Sequence, residues 1–449
     1  MPFEITKNII QEVSEYINVK NNVALDELFS EMHHADVAEI LDEISFNQAV
    51  YIIKLLDSEK TAEVLMDVDD DLREKILKKL SAKEIAEEID ELDTDDAADI
   101  ISELPEAKKE AVMSEIEDVE HAKDIVELLR YDEDSAGGLM AKELVKANEN
   151  WTVVQCVREL RKQASEVTRV HSIYVVDDSG KLKGRLSLKD LLMAPAKAHI
   201  ADFYIPNVDS VRVNDDSEDV ANIMRKYDLS AIPVIDELGI LVGRITIDDI
   251  VDVIKDEADK DYQMAAGLTE DVEAGDSIVQ LTKARLPWLI LGLFGGIGAA
   301  AIMAGYENII KEHAVLFFFT PLIAAMAGNV GVQSSAIIVQ GLANNDVKGS
   351  IANRLWKELL LAIVNGIILS ILLFIYTYST GGDYKVSLAI SISLFSVIIM
   401  AGIIGTFIPL FLDKRGIDPA IATGPFITTS NDIFGILIYF LIARLILGF

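Results

Sequence analysis

The sequence is nearly free of cysteine. Cys156 is the only cysteine among 449 residues, so a disulfide within the chain and a cysteine-ligated zinc cluster are both excluded. A glycine-rich phosphate loop, a nucleophile elbow and a histidine-centred metal motif are absent as well. These are common signatures of enzymes, and we therefore expect that the protein is not an enzyme.

A secretory signal is also missing at the N-terminus. The first ten residues read MPFEITKNII and lack a basic segment followed by an apolar one. We therefore expect the first half of the chain to stay in the cytosol.

Positive charge is scarce in the first 280 residues. They carry 30 Lys and Arg against 66 Asp and Glu, a net charge of −36, whereas residues 281–449 are mostly apolar and carry +2. A region this acidic repels itself and is stabilised by counter-ions. This charge excludes nucleic acid as a partner and favours divalent cations.

Apolar residues recur at helical spacing in residues 1–135, for example at Val37, Ile40 and Leu41. Ser81 and Glu84 have the spacing of a capping box before another such run. Similar phrases also recur, namely ADVAEILDEIS, KEIAEEIDELD and DDAADIISELP. Short helices that repeat in this way stack on one another, so we predict an acidic, all-α superhelical domain.

A sharper repeat lies at residues 173–192 and 232–251. The stretches IYVVDDSGKLKGRLSLKDLL and IPVIDELGILVGRITIDDIV are identical at eight of twenty positions without a gap. Each predicts a strand, an Asp-x-x-Gly turn, a second strand ending in Gly-Arg, and a helix starting near Lys189 or Asp248. These residues resemble a tandem pair of CBS domains, an α/β sensor module that often binds adenosine nucleotides.

Two short motifs in this repeat have alternative interpretations. Ser187 and Asp190, and likewise Thr246 and Asp249, match the S/T-x-x-D pattern that contacts ribose in nucleotide-binding CBS pairs. The resemblance implies a nucleotide such as ATP at these residues. The same residues also suit helix caps, and both interpretations stay open.

Five hydrophobic segments near the length of about 20 residues that crosses a bilayer follow in the second half. They are Leu286–Tyr306, Ala314–Leu342, Leu359–Tyr378, Val386–Leu412 and Pro419–Leu441. The loops between them alternate in basic residues, with seven on one side (Lys283, Arg285, Lys348, Arg354, Lys357, Lys414, Arg415) and three on the other (Lys311, Lys385, Arg444). The richer side faces the cytosol. We therefore expect a multi-pass protein of the inner (plasma) membrane, with a cytosolic N-terminus and an external C-terminus.

The second span contains the polar stretch GNVGVQSS at residues 328–335, with Asn329 and Gln333. Amides at this depth are tolerated where they line a cavity or pack inside the protein. Small residues also allow helices to pack closely, so both interpretations stay open.

The fifth span carries Asp432, the only ionisable residue deep within an apolar segment. Burying a carboxylate there costs about 3 kcal/mol on insertion scales. No Lys or Arg lies at comparable depth in any of the five spans. A bound cation is the expected compensation, and a proton relay is the alternative.

The neighbours of Asp432 favour a hard cation. Asn431, Thr428 and Ser430 offer oxygen ligands, and backbone carbonyls are loosened near Pro425, which follows Thr423 and Gly424. No cysteine or histidine lies nearby, which disfavours soft transition metals. Mg²⁺ keeps its water and is typically bound through one or two carboxylates. We expect Mg²⁺ here, and the residue types leave the choice among Mg²⁺, Co²⁺, Ni²⁺ and Mn²⁺ open.

The stretches ATGPFITTSNDIFG (residues 422–435) and PLIAAMAGNVGVQSS (residues 321–335) resemble the MgtE family of magnesium channels and transporters. The order of the parts agrees as well. The fold class expected is multidomain: an all-α superhelical domain (1–135), an α/β CBS pair (136–198 and 199–254), a connecting helix (255–282) and a five-helix transmembrane domain (283–449).

The resemblance implies a homodimer in membrane lipid, with a pore on the two-fold axis lined by the second and fifth spans. Asp432 occupies the position of the family's central ion-binding aspartate, and Asp418 matches a position near the pore mouth. The family also implies Mg²⁺ influx that cytosolic Mg²⁺ closes. Acidic residues suitably placed to bind such regulatory ions are Asp90, Asp93, Asp95 and Asp96 in the helical domain, and Asp248, Asp249, Asp252, Asp256, Glu257 and Asp259 around the connecting helix.

Two other transport classes compete with this interpretation. Chloride channels that carry CBS domains have them after a membrane domain with more spans, whereas here they precede five spans. A proton-coupled carrier of Mg²⁺ or Co²⁺ that uses Asp432 stays the alternative. A current that is independent of any pH gradient distinguishes a channel from that carrier.

Overall fold

The computed structural model describes residues 5–164, 167, 170, 172–270, 272, 275–343, 350–422 and 424–448. Lys348, counted among the basic loop residues, and Thr423, named near Pro425 in the fifth span, lie outside the described residues. The chain divides into two compact units, residues 1–255 and 256–449. The predicted multidomain fold class is confirmed, because helices and two sheets build the first unit and long apolar helices the second.

Short helices build the first part of unit 1, as the repeated sequence segments predict. Their bounds are α1 (Lys7–Asn18), α2 (Asn22–Ser30), α3 (His34–Glu43), α4 (Phe46–Ile53), α5 (Ser58–Asp67), α6 (Asp70–Lys79), α7 (Ala82–Ile89), α8 (Thr94–Ser102), α9 (Glu106–Met113) and α10 (Val119–Leu128). The capping box predicted at Ser81 and Glu84 is present at the start of α7. Helices two apart pack together, α3 on α5, α5 on α7 and α7 on α9, which is the arrangement of a stacked superhelix.

Two small sheets follow in unit 1, one for each copy of the sequence repeat. Each sheet has one parallel pair, β1 with β2 and β5 with β6, and its remaining pairs, β2 with β3, β3 with β4 and β6 with β7, are antiparallel. The bounds are β1 (Val145–Asn148), α11 (Val153–Gln163), β2 (Ile173–Val176), β3 (Leu182–Leu186), α12 (Leu188–Met193), β4 (Ile205–Pro206), β5 (Val211–Arg212), α13 (Ser217–Tyr227), β6 (Ala231–Ile235), β7 (Leu241–Thr246) and α14 (Ile247–Ala266).

The Asp-x-x-Gly turns adopt the same structure in both copies. Gly180 and Gly239 have φ of +82° and +80°, a region in which a glycine avoids the strain of a side chain. The carboxylates of Asp177 and Asp236 accept backbone hydrogen bonds within their own turns. The repeat therefore predicted the local structure of both hairpins.

The connecting helix differs from the helix predicted over residues 255–282. It is the end of α14, which starts at Ile247 directly after β7 and runs through residue 255 to Ala266. Gly267 ends it with φ of +87°. Ser277 then forms a capping box that begins the next helix, so the chain breaks its helical path between the two.

Among the described residues, five helices are long and apolar enough to cross a membrane: α15 (Ile278–Gly305), α17 (Val315–Ala343), α18 (Ile351–Ser379), α19 (Tyr384–Asp413) and α20 (Gly424–Leu447). The short α16 (Glu307–Glu312) lies between the first two. The fifth span starts later than predicted, because Pro419–Ala422 forms a 3-10 turn and the helix begins at Gly424. The side chain of Asp418 accepts a hydrogen bond from the amide of Ala420 and caps that turn.

Candidate cation sites

A compact group of carboxylates lies at the start of α8. Oxygens of Asp93, Asp95 and Glu143 all lie within 4.8 Å of one another. Asp93 is the residue before α8 and Asp95 is in its first turn. Two of these acids were predicted as regulatory ligands, and the structure brings them together.

Glu143 was not predicted from the sequence. Its Oε2 accepts hydrogen bonds from the amide of Thr94 at 3.2 Å and from Thr94 Oγ1 at 2.8 Å. The contact joins positions 49 apart in the chain, and the residues around Glu143 carry no motif or spacing that points to it. Glu143 is thereby fixed beside the N-terminus of α8.

Arg244 of the second CBS repeat contacts two of these residues, Asp93 and Glu143. Its Nη2 donates to Asp93 Oδ2 at 3.0 Å, and its Nε donates to the backbone oxygen of Glu143. The guanidinium side chain is buried. Arg244 is the arginine of the second Gly-Arg motif, which predicted a strand end but no such contact.

Acids of α8 also face acids at the start of α14. Burial, followed by the charges of Asp96, Asp249 and Asp93, raises the pKa of Asp95 well above its usual value. Burial and then Asp249 raise the pKa of Asp96 to about 7. Burial raises the pKa of Asp249, although its hydrogen bonds from Thr246 act in the opposite direction. We call Asp93, Asp95, Asp96, Glu143 and Asp249 the acidic cluster.

The acidic cluster has the chemistry of a site for a hard divalent cation. Its ligand atoms are carboxylate oxygens, which Mg²⁺ and Ca²⁺ prefer. Burial, and after it the charges of the neighbouring acids, raises these pKa values, so ionising the carboxylates together is unfavourable. A divalent cation relieves that repulsion without requiring protonation.

Other predicted regulatory acids lie elsewhere in unit 1. Asp90 ends α7, and its Oδ2 accepts a hydrogen bond from the amide of Glu117 at 3.1 Å. Asp248 is exposed and contributes its charge to the raised pKa values of Asp96 and Asp249. Asp252 is largely exposed on α14, and partial desolvation of its carboxyl raises its pKa; the charge of Lys255 opposes this shift, and those of Asp248 and Asp67 add to it.

A second set of facing carboxylates lies in unit 2. Burial, followed by the charges of Asp418 and Glu257, raises the pKa of Asp261 on α14. Glu257 also bonds to Lys260 at 3.0 Å. Asp256 and Asp259 are exposed at other positions of the helix. The charges of the predicted Glu257 and Asp418 thus both act on Asp261, which was not predicted from the sequence.

The end of α14 packs tightly against the start of α20. A methyl group placed on Gly267 would lie 2.4 Å from Pro425 Cγ, and one on Gly424 would lie 2.2 Å from the backbone oxygen of Ala265. Both contacts are too close for any side chain. The connecting helix therefore bears directly on the first turn of the fifth span.

Within the membrane helices, Asp432 is half-buried on α20. Thr428, one turn earlier, packs beside Gly328 of α17, and its hydroxyl donates to the backbone oxygens of Gly424 and Pro425. Asn329 follows Gly328 and is exposed in the single chain. Thr428 and Asp432 lie one turn apart on α20, and Thr428 packs beside Gly328, the residue before the exposed Asn329 on α17. We call these three predicted pore residues, Asp432, Thr428 and Asn329, the uncovered border.

Asn431 lies in a different place. It is fully buried, and a methyl group on Gly331 of α17 would lie 1.8 Å from its Nδ2. Among the described residues, neither its Oδ1 nor its Nδ2 has a hydrogen-bond partner. Consecutive side chains on a helix point about 100° apart. The side chain of Asn431 is therefore buried among the helices, whereas that of the next residue, Asp432, is only half-buried. The structure does not bring Asn431 onto the uncovered border.

Comparison with known proteins fits this architecture throughout. A family model described as a divalent cation transporter matches residues 320–442, one for the MgtE intracellular N domain matches residues 32–134, and one for the CBS domain matches residues 136–197 and 200–256. A magnesium transporter MgtE from Thermus thermophilus is 34% identical over 431 residues, 94% of this chain and 95% of that protein. The chain belongs to the MgtE family.

Further MgtE relatives support that membership. The magnesium transporter MgtE of Enterococcus faecalis is 39% identical over 74% of this chain and 73% of that protein. The crystal structure of the cytosolic domain of the Mg²⁺ channel MgtE in complex with ATP is 35% identical, covers 54% of this chain and 99% of that chain, and has a TM-score of 0.51. Like other MgtE proteins, this chain is a multi-pass membrane protein.

The two nucleotide motifs of this MgtE protein differ in structure. Ser187 and Asp190 line a cavity of about 480 Å³ together with Arg185 and Lys189. Asp249 instead accepts hydrogen bonds from the Thr246 amide at 3.0 Å and the Thr246 hydroxyl at 2.7 Å. The first motif is open to a ligand, and the second forms a helix cap.

Proposed function

We propose that this chain forms a homodimeric, Mg²⁺-selective channel of the plasma membrane that admits Mg²⁺ and closes when cytosolic Mg²⁺ rises. The N-terminal unit is cytosolic and the C-terminus external in this proposal. Magnesium is both the substrate and the regulator.

The uncovered border of α17 and α20 carries the proposal. Asp432 is half-buried in an apolar segment, Thr428 lies one turn away on the same helix, and the exposed Asn329 follows the glycine on which Thr428 packs. Polar groups at such depth are stable where they face water or partner polar groups. A second copy across a two-fold axis would turn this border into a polar pore with two aspartates. A hydrated Mg²⁺ suits that site, since Mg²⁺ retains its water.

The acidic cluster supplies the proposed regulatory site. Without a cation, Asp95, Asp96 and Asp249 repel one another and push α8 away from the start of α14. Bound Mg²⁺ would bridge these carboxylates and hold the contact closed. Weak sites of this kind respond in the range of about 10⁻⁴ to 10⁻³ M.

Helix α14 is the proposed route from the regulatory site to the pore. Its first turn contains Asp249 of the acidic cluster, and Gly267, which follows its last residue, packs against Pro425 on α20. Asp261 on this helix also feels the charge of Asp418, which precedes the fifth span. Mg²⁺ bound between them would fix α14 against the mouth of the pore.

Nucleotide binding is proposed at the first CBS repeat only. The cavity at Ser187 and Asp190 contains Arg185 and Lys189, which suit a phosphate. An MgtE cytosolic domain has been solved with ATP, and its likeness to this chain supports the same ligand here.

Uptake of Mg²⁺ by proteoliposomes that contain the purified full chain tests the transport proposal. A channel carries Mg²⁺ down its gradient whether or not a pH gradient is present, and we expect equal uptake under both conditions. Uptake that requires a pH gradient would favour a proton-coupled carrier instead. Protein-free vesicles and the Asp432→Asn variant are the controls for leak.

A further inference from the structure

A second carboxylate lies among the membrane helices and takes no part in the sites described so far. Glu358 is half-buried on α18, seven residues after its first residue and therefore about 10 Å along the helix axis. Hydropathy predicts a third span from Leu359 onward, which leaves Glu358 outside the predicted span. The structure places it inside the helix.

Glu358 contacts two neighbouring helices at once. Its Oε1 accepts a hydrogen bond from Ser334 Oγ of α17 at 2.6 Å. That distance is within the range of about 2.5–2.7 Å for a hydroxyl that donates to an ionised carboxylate. Ser334 is buried, so the bond is shielded from water.

Gly402 of α19 makes room for this carboxylate. A methyl group placed on Gly402 would lie 3.0 Å from Glu358 Oε1. The carboxylate thus lies between α17 and α19 while its backbone belongs to α18. A single side chain links three membrane helices at one level.

The bond to Ser334 lies about one helical turn along α17 from the contact of this helix with α20. Gly331 precedes Ser334 by three residues and is the residue on which Asn431 packs. Helix α19 also packs closely on Gly331, because a methyl group on Gly405 of α19 would lie 2.4 Å from the Gly331 backbone oxygen. A shift of α17 at Ser334 would therefore move Gly331 and, through Asn431, the neighbouring Asp432.

We propose that Glu358 is a positioning residue for ion conduction, which acts through its hydrogen bond to Ser334 to set the spacing of α17 and α20 at Asp432. The inference rests on the proposed channel function. Glu358 does not touch the ion in this account. Its oxygen atom, rather than its charge, is what α17 requires.

The test compares Glu358→Ala, Glu358→Gln, Ser334→Ala and the Glu358→Ala/Ser334→Ala double variant by the Mg²⁺ dependence of current in the full chain. Glu358→Ala and Ser334→Ala should each raise the Mg²⁺ concentration for half-maximal current several-fold. The double variant should be no worse than Glu358→Ala alone, because both changes remove the same bond. Glu358→Gln should stay close to the unmodified protein, since its amide oxygen still accepts from Ser334.

Three results would overturn the proposal. The first is a Glu358→Gln variant as impaired as Glu358→Ala, which would mean that the charge acts on the ion. The second is additive effects of the two alanine changes, and the third is no effect of either. Gel-filtration profiles check folding, and if Glu358→Ala does not fold, Ser334→Ala and Glu358→Gln decide alone. An unmodified chain without current would instead count against the channel function itself.

Discussion

The acidic cluster in unit 1 and Asp432 in unit 2 use carboxylates in opposite ways. In the acidic cluster, several carboxylates lie close together, and burial and their mutual repulsion raise the pKa of Asp96 to about 7. In the membrane domain, Asp432 stands on a border of neutral polar groups. A crowded site responds to the concentration of a cation because the empty state is strained. In the proposed pore, a single carboxylate among neutral polar groups would attract a cation without holding it tightly, which conduction requires.

Removal of the charge at Asp432 is expected to give the largest effect. Asp432→Asn keeps the size and polarity of the side chain but removes the attraction for a cation. Mg²⁺ flux should fall by at least about 100-fold, which corresponds to ~2.7 kcal/mol. The Mg²⁺ flux is measured as uptake into proteoliposomes that contain a Mg²⁺-sensitive fluorescent dye.

Asp383→Asn is the matched control for that change. Asp383 caps the N-terminus of α19 and is exposed, and asparagine caps a helix equally well. Its flux should be unchanged. Similar losses in both variants would mean that Asp432 has no special part in conduction.

A smaller effect is expected when the acidic cluster loses one charge. Glu143→Gln keeps an oxygen that accepts from Thr94 but removes one anionic ligand. The cytosolic Mg²⁺ concentration that half-closes the channel should rise about tenfold, because affinity for a hard cation follows the number of charged ligands. Glu120→Gln, an exposed change in the first turn of α10, is the control. Unaltered closure in Glu143→Gln would remove the acidic cluster from the mechanism.

The contact of α8 with α14 should depend on pH when divalent cations are absent. Raised pKa values mean that protonated carboxyls favour the contact, so its stability is full below about pH 4 and is lost as pH rises through about 7. Hydrogen exchange of α8 amides, corrected for intrinsic rates, should therefore be several-fold faster at about pH 8 than at about pH 5.5. Added Mg²⁺ should remove the difference, and Asp96→Asn should reduce it. A contact that strengthens with rising pH would contradict the account.

The smallest expected effect separates the two CBS repeats. Asp190→Asn should weaken ATP binding to the full chain several-fold, because Asp190 lines an open cavity. Asp249→Asn should not, because Asp249 already bonds to Thr246. Calorimetry in the presence of constant Mg²⁺ compares the two. Equal losses would place the nucleotide at both repeats or between them.

Local patterns in the sequence predicted most of the fold. The capping box at Ser81, the two glycine turns and the five membrane helices all follow from spacing and hydropathy. The start of the fifth span was wrong, because residues 419–422 are apolar enough to extend it while Asp418 caps a separate 3-10 turn. Hydropathy does not distinguish these two backbone conformations.

The candidate sites were predicted only in part. Asp93, Asp95 and Asp432 stood out by charge and position, but their partners come from distant parts of the chain. Arg244 meets Asp93 across 151 positions, and Glu358 meets Ser334 across 24. Such contacts depend on tertiary packing, which a single sequence does not encode in any local pattern. The same packing turns Asn431 away from the border that holds Asp432.

Current through inside-out patches tests the central claim most directly. Cytosolic Mg²⁺ is raised from micromolar levels to about 10 mM, a range that spans the affinities of weak carboxylate sites. The account predicts a Mg²⁺ current at low cytosolic Mg²⁺ that disappears as the concentration rises, with closure delayed in Glu143→Gln. A Mg²⁺ current that stays constant across the whole range would contradict it.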